Sequence, residues 1–291
     1  MDTNSLFEVF EKDFTNMPPY NEGLLKQEEA DIELLKFLFS CIDLTSLNTH
    51  DSSNSISDFC DKVVNFQKNF PDHPNVAAVC VYPVFASILS TKLKGMDVNR
   101  AVVSAGFPSS QTFLETKLDE CKRAIYFGAN EVDVVISVGE HLEGNYEFIA
   151  EELASIKSAI GDVHMKVILE TGILEKSHLI WKASLLAMEA GADFIKTSTG
   201  KTSPAATPQA AWIMSYAIRA FAQIRKRVVG FKPAGGIATV DDALLYYRIQ
   251  EYVLGEKWLT PKLFRLGASR LANNLLTAIA KLEGKPEVKW F

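Results

Sequence analysis

The feature that most constrains this chain is a regular alternation along most of its length. Short runs rich in Val and Ile alternate with longer segments whose apolar residues recur at helical spacing. Most of the short runs are continuously apolar, which is typical of parallel strands covered on both faces. The sequence predicts eight such strands, at Cys41–Leu47, Val76–Tyr82, Ala101–Phe107, Glu131–Ser137, Lys166–Thr171, Phe194–Ser198, Val228–Pro233 and Phe264–Ser269.

Helix signals lie between these runs. Thr207 precedes Pro208 as an N-cap precedes a proline at the first helical position, and Thr239 precedes two acidic residues. Gly128 and Gly191 follow helical segments, where a C-terminal glycine belongs. Eight βα units in about 250 residues match an α/β fold of the (β/α)₈ TIM-barrel type. A doubly wound open sheet is the alternative, but no G-x-G-x-x-G follows an early strand, which disfavours its dinucleotide-binding form.

The sequence also predicts how the chain is divided. Residues 1–23 have mixed polarity and end in the turn-rich Met17–Gly23, so we expect a loose N-terminal extension. A leading helix over Leu24–Phe39 would precede the first strand. A single barrel domain would then occupy residues 24–282, with residues 283–291 as a C-terminal tail.

Composition excludes several classes of function. The chain of 291 residues has a formal net charge of −6 and no long basic run, so we expect no binding to nucleic acid. The weakly polar stretch Val76–Leu89 is too short to span a bilayer and contains Pro83, so we expect no membrane span. The acidic N-terminus is the reverse of a signal peptide, which predicts a cytoplasmic protein. The chain has four widely spaced cysteines, Cys41, Cys60, Cys80 and Cys121. They form no C-x-x-C pair and no ligand pattern with the five histidines, so we expect reduced thiols and no metal site.

Charged residues interrupt strands that should be buried. A charge inside a barrel strand must be paired or must serve the chemistry. A satisfied internal salt-bridge network would explain any single one of them, but three lysines on strands five, six and seven are harder to explain in that way. The residues concerned are Asp43, Asp133, Lys166, Glu170, Lys196 and Lys232.

Lys196 and Lys232 belong to consecutive strands. Adjacent strands lie about 4.8 Å apart, so the two ammonium groups would be close if both side chains point inward. Their repulsion would amount to several kcal/mol in a partly buried site and would disappear if one lysine lost its proton. A lysine pKa lowered by about three units, which corresponds to roughly 4 kcal/mol, leaves a neutral amine near physiological pH. This is the nucleophile that Schiff-base chemistry requires.

Glycine-containing loops follow the last three strands, at residues 197–201, 233–237 and 266–270. Loops at this end of a (β/α)₈ barrel commonly bind phosphate through backbone N–H groups and a helix N-terminus. Ser269 can donate a hydrogen bond, and Lys201 or Arg270 can supply positive charge. A lone Gly-Gly is weak evidence, but three such loops at one end favour a phosphate site.

Long motifs of the chain closely resemble the deoxyribose-phosphate aldolase family. They are residues 130–135, 166–172, 191–201 and 230–237, together with shorter matches at residues 42–45, 79–83 and 264–269. The resemblance extends from about residue 40 to residue 280. It implies a metal-free, cofactor-free class I aldolase on a (β/α)₈ barrel, which reversibly cleaves 2-deoxy-D-ribose 5-phosphate to D-glyceraldehyde 3-phosphate and acetaldehyde.

The resemblance also implies roles for individual residues. Lys196 matches the Schiff-base lysine, Lys232 the second lysine that lowers its pKa and takes part in proton transfer, and Asp133 the acid/base residue. Further positions match the substrate pocket, namely Asp43, Cys80, Lys166 and Thr199. The phosphate-binding positions are Gly200, Lys201, Gly235, Gly236, Gly267 and Ser269, with Arg270 as a candidate.

The chain departs from the family in three places. Arg270 stands where many members have a second serine. The chain ends in Trp290-Phe291, whereas some members end in a tyrosine that acts as a proton relay, so proton transfer here would depend on Asp133, Lys232 and water. Residues 1–23 have no counterpart. The family includes monomers, dimers and tetramers, so a homo-oligomer is an open expectation.

Two other functions remain possible from the sequence. A pyridoxal-phosphate barrel enzyme, or another lysine-dependent enzyme of this fold, would also use a lysine and a phosphate site, although no group for a pyridine nitrogen is evident. A non-catalytic phosphosugar-binding or scaffold protein would bind phosphate ligands without aldol cleavage.

Overall fold

The structure is a computed structural model that describes residues 2–25 and 29–291. All eight predicted strands are present within the predicted runs or within two residues of them. Each is shorter than its apolar run, because the strand hydrogen bonds end where the chain turns toward the next helix. The strands are β1 (Ile42–Thr45), β2 (Ala78–Val81), β3 (Asn99–Ser104), β4 (Glu131–Val135), β5 (His164–Ile168), β6 (Phe194–Lys196), β7 (Gly230–Lys232) and β8 (Leu266–Ala268).

The eight strands form one parallel sheet. Its order is β7-β6-β5-β4-β3-β2-β1-β8, so each strand lies beside its neighbour in sequence and β8 returns to β1. Two parallel bridges, between Phe231 and Phe264 and between Ala234 and Gly267, connect β7 to β8. The sheet is thereby closed into the predicted (β/α)₈ barrel.

Helices connect the strands and cover the outside of the barrel. Thr207 and Thr239 are the predicted N-caps, and their side chains accept hydrogen bonds from Ala210 N and Asp242 N. Gly128 and Gly191 adopt positive φ at the predicted helix ends. The helices are α1 (Thr3–Thr15), α2 (Ile32–Ser40), α3 (Ser53–Asn69), α4 (Ala86–Lys92), α5 (Leu114–Tyr126), α6 (Val138–Glu143), α7 (Tyr146–Ile160), α8 (Thr171–Leu174), α9 (Ser177–Glu189), α10 (Pro208–Arg225), α11 (Val240–Leu254) and α12 (Arg270–Leu282).

The N-terminal segment differs from the loose extension that we expected. Residues 3–15 form helix α1, which begins at the N-cap Asp2. Leu6 and Phe10 are buried, and the Phe10 ring stacks on Phe221 of α10 at a centroid distance of 6.0 Å. Their i, i+4 spacing was a helix signal that the surrounding acidic residues obscured. Residues 3–15 are therefore packed against the outer helices α9 and α10 rather than loose, and the division of the chain at residue 23 stays a prediction.

The leading helix is shorter than predicted. Helix α2 begins at Ile32, after the N-cap Asp31, whose carboxylate accepts a hydrogen bond from Leu34 N at 2.8 Å. The predicted start at Leu24 lies in a short 3₁₀ turn over Glu22–Leu24, and residues 26–28 lie outside the described residues. Asp31 favours a helix start because its side chain satisfies a free backbone N–H.

The barrel interior has two different halves. The half formed by β2, β3 and the loop after β1 holds a small apolar cluster that includes Leu47, Ala78, Cys80, Ala101 and Val103. The other half holds buried charged side chains, which are described below. The much larger apolar core lies between the sheet and the surrounding helices. None of the described helices combines the length and apolar composition needed to cross a bilayer.

Candidate active site

The lysines of β6 and β7 lie next to each other inside the barrel. Lys196 pairs in register with Lys232 on the neighbouring strand, and both side chains are buried. Each ammonium Nζ lies 2.8 Å from Oδ2 of Asp133. The structure therefore brings together the three residues for which the sequence predicts catalytic roles.

Asp133 on β4 is the centre of this group. Its Oδ1 accepts a third hydrogen bond, at 3.0 Å, from Nζ of Lys166 on β5. Burial alone would raise the pKa of Asp133, but the three lysines outweigh burial and hold that pKa well below its usual range. Asp133 is therefore ionised in the resting protein, and an ionised carboxylate can accept a proton but has none to donate.

A second layer of charges lies behind Asp133, toward the N-terminal end of the strands. Arg265 donates from Nη1 to Asp43 Oδ1 at 2.6 Å and from Nη2 to Glu131 Oε1 at 3.1 Å. Lys166 Nζ lies 2.5 Å from Glu131 Oε2 and 3.5 Å from Asp43 Oδ2. Lys232 also bonds to Asp43 Oδ2. Asp43 and Lys166, which were predicted to line the pocket, thus hold the network together.

Sequence reasoning missed Arg265 and Glu131. Glu131 is the first residue of β4, and Arg265 directly precedes β8. Both lie in apolar runs that the sequence analysis identified as strands, so the rule that singled out Lys166 would have found them as well. Neither was singled out, because a charge at the end of a strand is usually solvated, whereas these two side chains extend into the closed barrel and are buried.

The balance of charge shows which lysine loses a proton. We call the seven buried side chains the charge cluster; they are Asp43, Glu131, Asp133, Lys166, Lys196, Lys232 and Arg265. Four of them are potential cations and three are carboxylates, so one cation is in excess, and loss of one proton makes the cluster neutral. Burial strongly favours the neutral arrangement.

Arginine keeps its proton in proteins, so a lysine must be the one that loses it. Lys166 contacts three carboxylates and Lys232 contacts two, whereas Lys196 contacts only Asp133. Lys196 is therefore the group that loses its proton at the least electrostatic cost.

The pKa directions agree with this count. Burial lowers the pKa of Lys196; Asp133 opposes this shift, and the positive charge of Lys232 adds to it. Burial also acts to lower the pKa of Lys232, but Asp133 and Asp43 outweigh it, so that pKa is raised. Repulsion between the two lysines, which the sequence analysis proposed as the cause, is thus real but smaller than the effect of burial.

Cys80 lies on the apolar side of the site. It is completely buried on β2, and burial, followed by the charge of Asp133, raises the pKa of its thiol to about 11. The thiol is therefore protonated at neutral pH and belongs to the apolar wall with Leu47 and Val103. This wall faces the lysines across the barrel and suits a small alkyl group rather than a charged one.

A pocket opens at the C-terminal end of the strands. Its cavity volume is about 220 Å³, and we call it the glycine-lined pocket. Every residue of the predicted phosphate site lines it, as does Thr199. Loop residues after β1, which the sequence analysis did not include, complete the wall. The lining is Thr45, Leu47, Asn48, Thr199, Gly200, Lys201, Gly235, Gly236, Ile237, Gly267, Ala268, Ser269 and Arg270.

Glycine is required at two positions of the pocket, Gly235 and Gly267, for different structural reasons. Gly235 adopts φ +86°, and a Cβ there would lie 2.7 Å from the Ala205 Cβ, so the loop after β7 requires glycine. At Gly267 a Cβ would lie 2.6 Å from the Ala234 Cβ and 3.1 Å from Lys232 Cε. Gly267 therefore makes room for Lys232 to reach Asp133, in addition to lining the pocket.

The cationic residues of the pocket come from two loops. Lys201 donates from Nζ to the carbonyl of Leu47, which ties the loop after β6 to the loop after β1. Arg270 is the exposed first residue of α12, and Ser269 is its N-cap. The side chain of Ser269 makes no capping bond to the helix, so its hydroxyl can turn toward a ligand. A helix N-terminus with a serine and an arginine favours an anion.

The C-terminal tail lies outside the barrel. The backbone N–H groups of Trp290 and Phe291 donate to Asn273 Oδ1 of α12 at 2.9 and 3.0 Å. The Phe291 ring stacks on Phe66 of α3 at 5.6 Å, and Trp290 Nε1 donates to the carbonyl of Lys62 at 2.9 Å. The tail thus packs on α3 and α12, the helices that follow β1 and β8, and does not cover the charge cluster.

A buried lysine with a lowered pKa, paired with a second lysine and a carboxylate beneath an anion-binding pocket, is typical of barrel enzymes that act through a Schiff base. Comparison with known proteins gives the particular family. Residues 37–252 match the sequence model of the DeoC/LacD family aldolases. The chain belongs to this family of aldolases, as its motifs indicated.

The similarity to individual proteins agrees with this family assignment. The chain is 41% identical over 257 residues to the deoxyribose-phosphate aldolase of Bos taurus, covering 85% of this chain and 80% of the relative. It is 41% identical over 261 residues to the enzyme of Homo sapiens, covering 86% and 82%. A crystal structure from Coccidioides immitis, provisionally named a deoxyribose-phosphate aldolase, has a TM-score of 0.78 and 26% identity, covering 96% of this chain and 98% of that chain.

Proposed function

We propose that the protein is a deoxyribose-phosphate aldolase in which Lys196 forms the Schiff base. It would cleave 2-deoxy-D-ribose 5-phosphate reversibly to D-glyceraldehyde 3-phosphate and acetaldehyde. The observation that carries this proposal is the position of Lys196: it is the least paired lysine of the charge cluster, and it ends strand β6, whose following loop lines the glycine-lined pocket. Family membership supports the same reaction class.

The first step is attack by the neutral amine of Lys196 on C1 of the open-chain sugar. The hydroxyl of the resulting carbinolamine takes up a proton, which we assign to Lys232, and leaves as water; the product is a protonated imine, which withdraws electrons from the C2–C3 bond. Asp133, which already lies 2.8 Å from Lys196 Nζ, remains ionised and stabilises the positive imine. The nitrogen of Lys196, neutral as the attacking amine, is thus positively charged in the imine and is paired with Asp133.

The second step is cleavage of the carbon chain. Acetaldehyde carries C1 and C2, so the C2–C3 bond breaks and its electron pair forms an enamine on Lys196. The C3 hydroxyl loses its proton as its oxygen becomes the aldehyde of glyceraldehyde phosphate. Protonation of the enamine at C2, followed by hydrolysis, releases acetaldehyde and regenerates the amine. We assign proton acceptance to Asp133 and donation to Lys232, through water where a direct path is too long.

The glycine-lined pocket would hold the phosphate of the substrate. Backbone N–H groups of Gly235 and Gly236, the N-terminus of α12 and the charges of Lys201 and Arg270 suit a dianion. Because the phosphate is remote from C1, its binding orients the reacting carbonyl at Lys196.

Borohydride reduction in the presence of acetaldehyde tests this assignment. The reduced imine is stable, so peptide mapping should find one added ethyl group, at Lys196. The variant Lys196→Ala should lose both the adduct and the cleavage of deoxyribose 5-phosphate in a coupled assay. An adduct at another lysine would refute the role of Lys196, and a wild-type protein that binds the sugar phosphate without cleaving it would refute the aldolase function.

We also propose that the protein works in the cytoplasm. The four free, buried cysteines support a reducing compartment. Assembly into a homo-oligomer stays a prediction, and light scattering of the purified protein would decide it. Fractionation of cells that express the full chain would test the compartment.

A further inference from the structure

Glu170 is a buried carboxylate at the active-site end of the barrel that the mechanism above does not use. It follows β5, and only 4% of its surface is exposed. No cationic side chain of residues 2–25 and 29–291 forms an ion pair with it, in contrast to the carboxylates of the charge cluster. A buried charge without a counter-ion must be satisfied by hydrogen bonds.

Both carboxylate oxygens of Glu170 accept hydrogen bonds from a single residue of the next loop. Oε1 accepts from the backbone N–H of Thr199 at 3.1 Å, and Oε2 accepts from the Thr199 hydroxyl at 2.5 Å. The Thr199 Oγ1 in turn accepts from the backbone N–H of Lys201 at 3.0 Å. Glu170 thus holds both ends of the Thr199–Lys201 segment: it bonds to Thr199 directly, and the Thr199 hydroxyl bonds to Lys201.

The backbone at Glu170 is held in a conformation that glutamate rarely adopts. Its φ is 56° and its ψ is 54°, in the left-handed region. The next residue, Thr171, donates its N–H to the carbonyl of Thr197 at 2.9 Å, so the β5–β6 pairing continues past the turn. Such a conformation persists where surrounding contacts require it, and it is found most often at functional sites.

The segment that Glu170 holds forms one wall of the glycine-lined pocket. The N–H groups of Thr199 and Lys201 are used internally, which leaves that of Gly200 for a ligand. Gly200 packs closely on the opposite loop, since a Cβ on Gly235 would lie 3.0 Å from Gly200 Cα. A shift of the Thr199–Lys201 segment would therefore move both the Gly200 donor and the Lys201 ammonium.

We propose that Glu170 is a positioning residue of the phosphate site, which acts through Thr199. Its carboxylate holds the Thr199–Lys201 segment so that Gly200 N–H and the Lys201 ammonium meet the phosphate group of the substrate. The carboxylate does not touch the substrate itself, and its charge is satisfied by the two Thr199 donors. This inference rests on the proposed function, because it assigns Glu170 to the phosphate end of that same site.

The test compares substrates with and without the phosphate group. In Glu170→Gln one of the two acceptors becomes a donor, so the Thr199 hydroxyl loses the carboxylate oxygen that accepts its proton, and the contact with Thr199 loses its charge. We expect KM for deoxyribose 5-phosphate to rise about tenfold or more, the effect of losing one hydrogen bond to a charged group. We expect kcat/KM for 2-deoxyribose, which lacks the phosphate, to change by less than about twofold. Thr199→Val should also raise KM for deoxyribose 5-phosphate, and in the double variant this KM should be no higher than in either single variant.

Glu175→Gln is the matched control. Glu175 is exposed, lies five residues further along the chain and also has positive φ, at 52°. Its replacement should change neither KM for deoxyribose 5-phosphate nor kcat/KM for 2-deoxyribose. Equal loss on both substrates in Glu170→Gln would show a general structural role, and tighter phosphate binding would show that the carboxylate opposes the ligand; either result overturns the proposal.

A second measurement does not depend on aldol cleavage. Inorganic phosphate should raise the melting temperature of the wild-type protein and of Glu175→Gln, but raise that of Glu170→Gln and Thr199→Val much less. This readout separates the two proposals: a wild-type protein that cleaves no deoxyribose 5-phosphate refutes the proposed function, whereas equal stabilisation of all four proteins by phosphate refutes the role of Glu170. If Glu170→Gln does not fold, Thr199→Val alone decides the question, because it leaves the buried carboxylate in place.

Discussion

Lys196 and Lys232 share one oxygen atom of Asp133, and each ammonium nitrogen lies 2.8 Å from it. The two lysines differ in what else they contact, because Lys232 also bonds to Asp43. This asymmetry raises the pKa of Lys232, whereas the pKa of Lys196 is lowered by burial and by the charge of Lys232. The division of roles between two chemically identical side chains thus follows from a single additional carboxylate.

Replacing Lys232 tests this relationship. In Lys232→Leu the charge cluster would contain three cations and three carboxylates, so Lys196 would keep its proton. We expect kcat/KM at neutral pH to fall by at least about 100-fold, and the remaining activity to rise as pH increases. The measurement is kcat/KM against pH, with a thermal melt to confirm folding. The exposed Lys262→Leu serves as a control, and near-normal turnover in Lys232→Leu at pH 7 would contradict the charge argument.

Arg265 provides a test without any change near the substrate. Its guanidinium lies in the lower layer, bonded to Asp43 and Glu131. Removal of its charge in Arg265→Met should again let Lys196 keep its proton, which moves the acidic limb of the activity profile to higher pH. Arg265→Lys preserves the charge and should leave the limb near its wild-type position. Identical profiles for both variants would show that the lower layer does not control Lys196.

Protonation of the buried His141 should make the folded protein less stable in mild acid. Burial lowers its pKa to about 4; its Nε2 contacts the carbonyl of Leu179, and its Nδ1 is buried without a partner. The unfolded chain binds this proton near pH 6.5 and the folded one near pH 4, so stability is full above 6.5 and falls as pH drops toward 4. The loss should reach about 3 kcal/mol. Urea unfolding of wild type and His141→Phe at pH 7 and pH 4.5 measures it, and the variant should lack this part of the pH dependence.

The tail should stabilise the barrel rather than take part in catalysis. Trp290 and Phe291 pack on α3 and α12 and carry no hydroxyl for a proton relay. Deletion of residues 286–291 should lower the free energy of unfolding by about 1–3 kcal/mol, the range for exposing one or two aromatic side chains. We expect kcat to remain within about twofold of wild type, as in the milder variant Asn273→Ala. A loss of kcat without a loss of stability would assign the tail to the reaction.

Activity should survive treatment with EDTA. Among the buried carboxylates of the site, Asp43, Glu131 and Asp133 are each bonded to lysine or arginine, and both oxygens of Glu170 are bonded to Thr199. Cleavage of deoxyribose 5-phosphate is measured before and after prolonged incubation with EDTA. Loss of activity that Zn²⁺ or Mg²⁺ restores would instead indicate a metal-dependent mechanism.

Much of the fold and of the site could be predicted from local patterns. The alternation of apolar runs with helical segments located all eight strands, because parallel strands covered on both faces require continuous apolar sequence. The same requirement made charges within strands conspicuous, which singled out Asp133, Lys196 and Lys232. Helix α1 was missed because acidic residues interrupt its apolar ones and its partner surface, on α9 and α10, is remote in sequence.

Other parts of the site depended on contacts between distant residues. Arg265 bonds to Asp43, 222 residues away, and Glu170 bonds to Thr199, 29 residues away. No spacing in the sequence indicates such pairs, because closure of the barrel, and not the local chain, brings them together.

The sequence by itself therefore determined the barrel, the strands that carry charge and the end at which the glycine loops gather. Each of these follows from periodicity and residue type over short stretches of chain. Only the tertiary structure explains why the pKa of Lys196 and not that of Lys232 is lowered, and shows which carboxylate holds the Thr199–Lys201 segment. Protonation depends on the number of opposite charges within a few ångströms and on exclusion of water, and both are set when the eight strands close around the cluster.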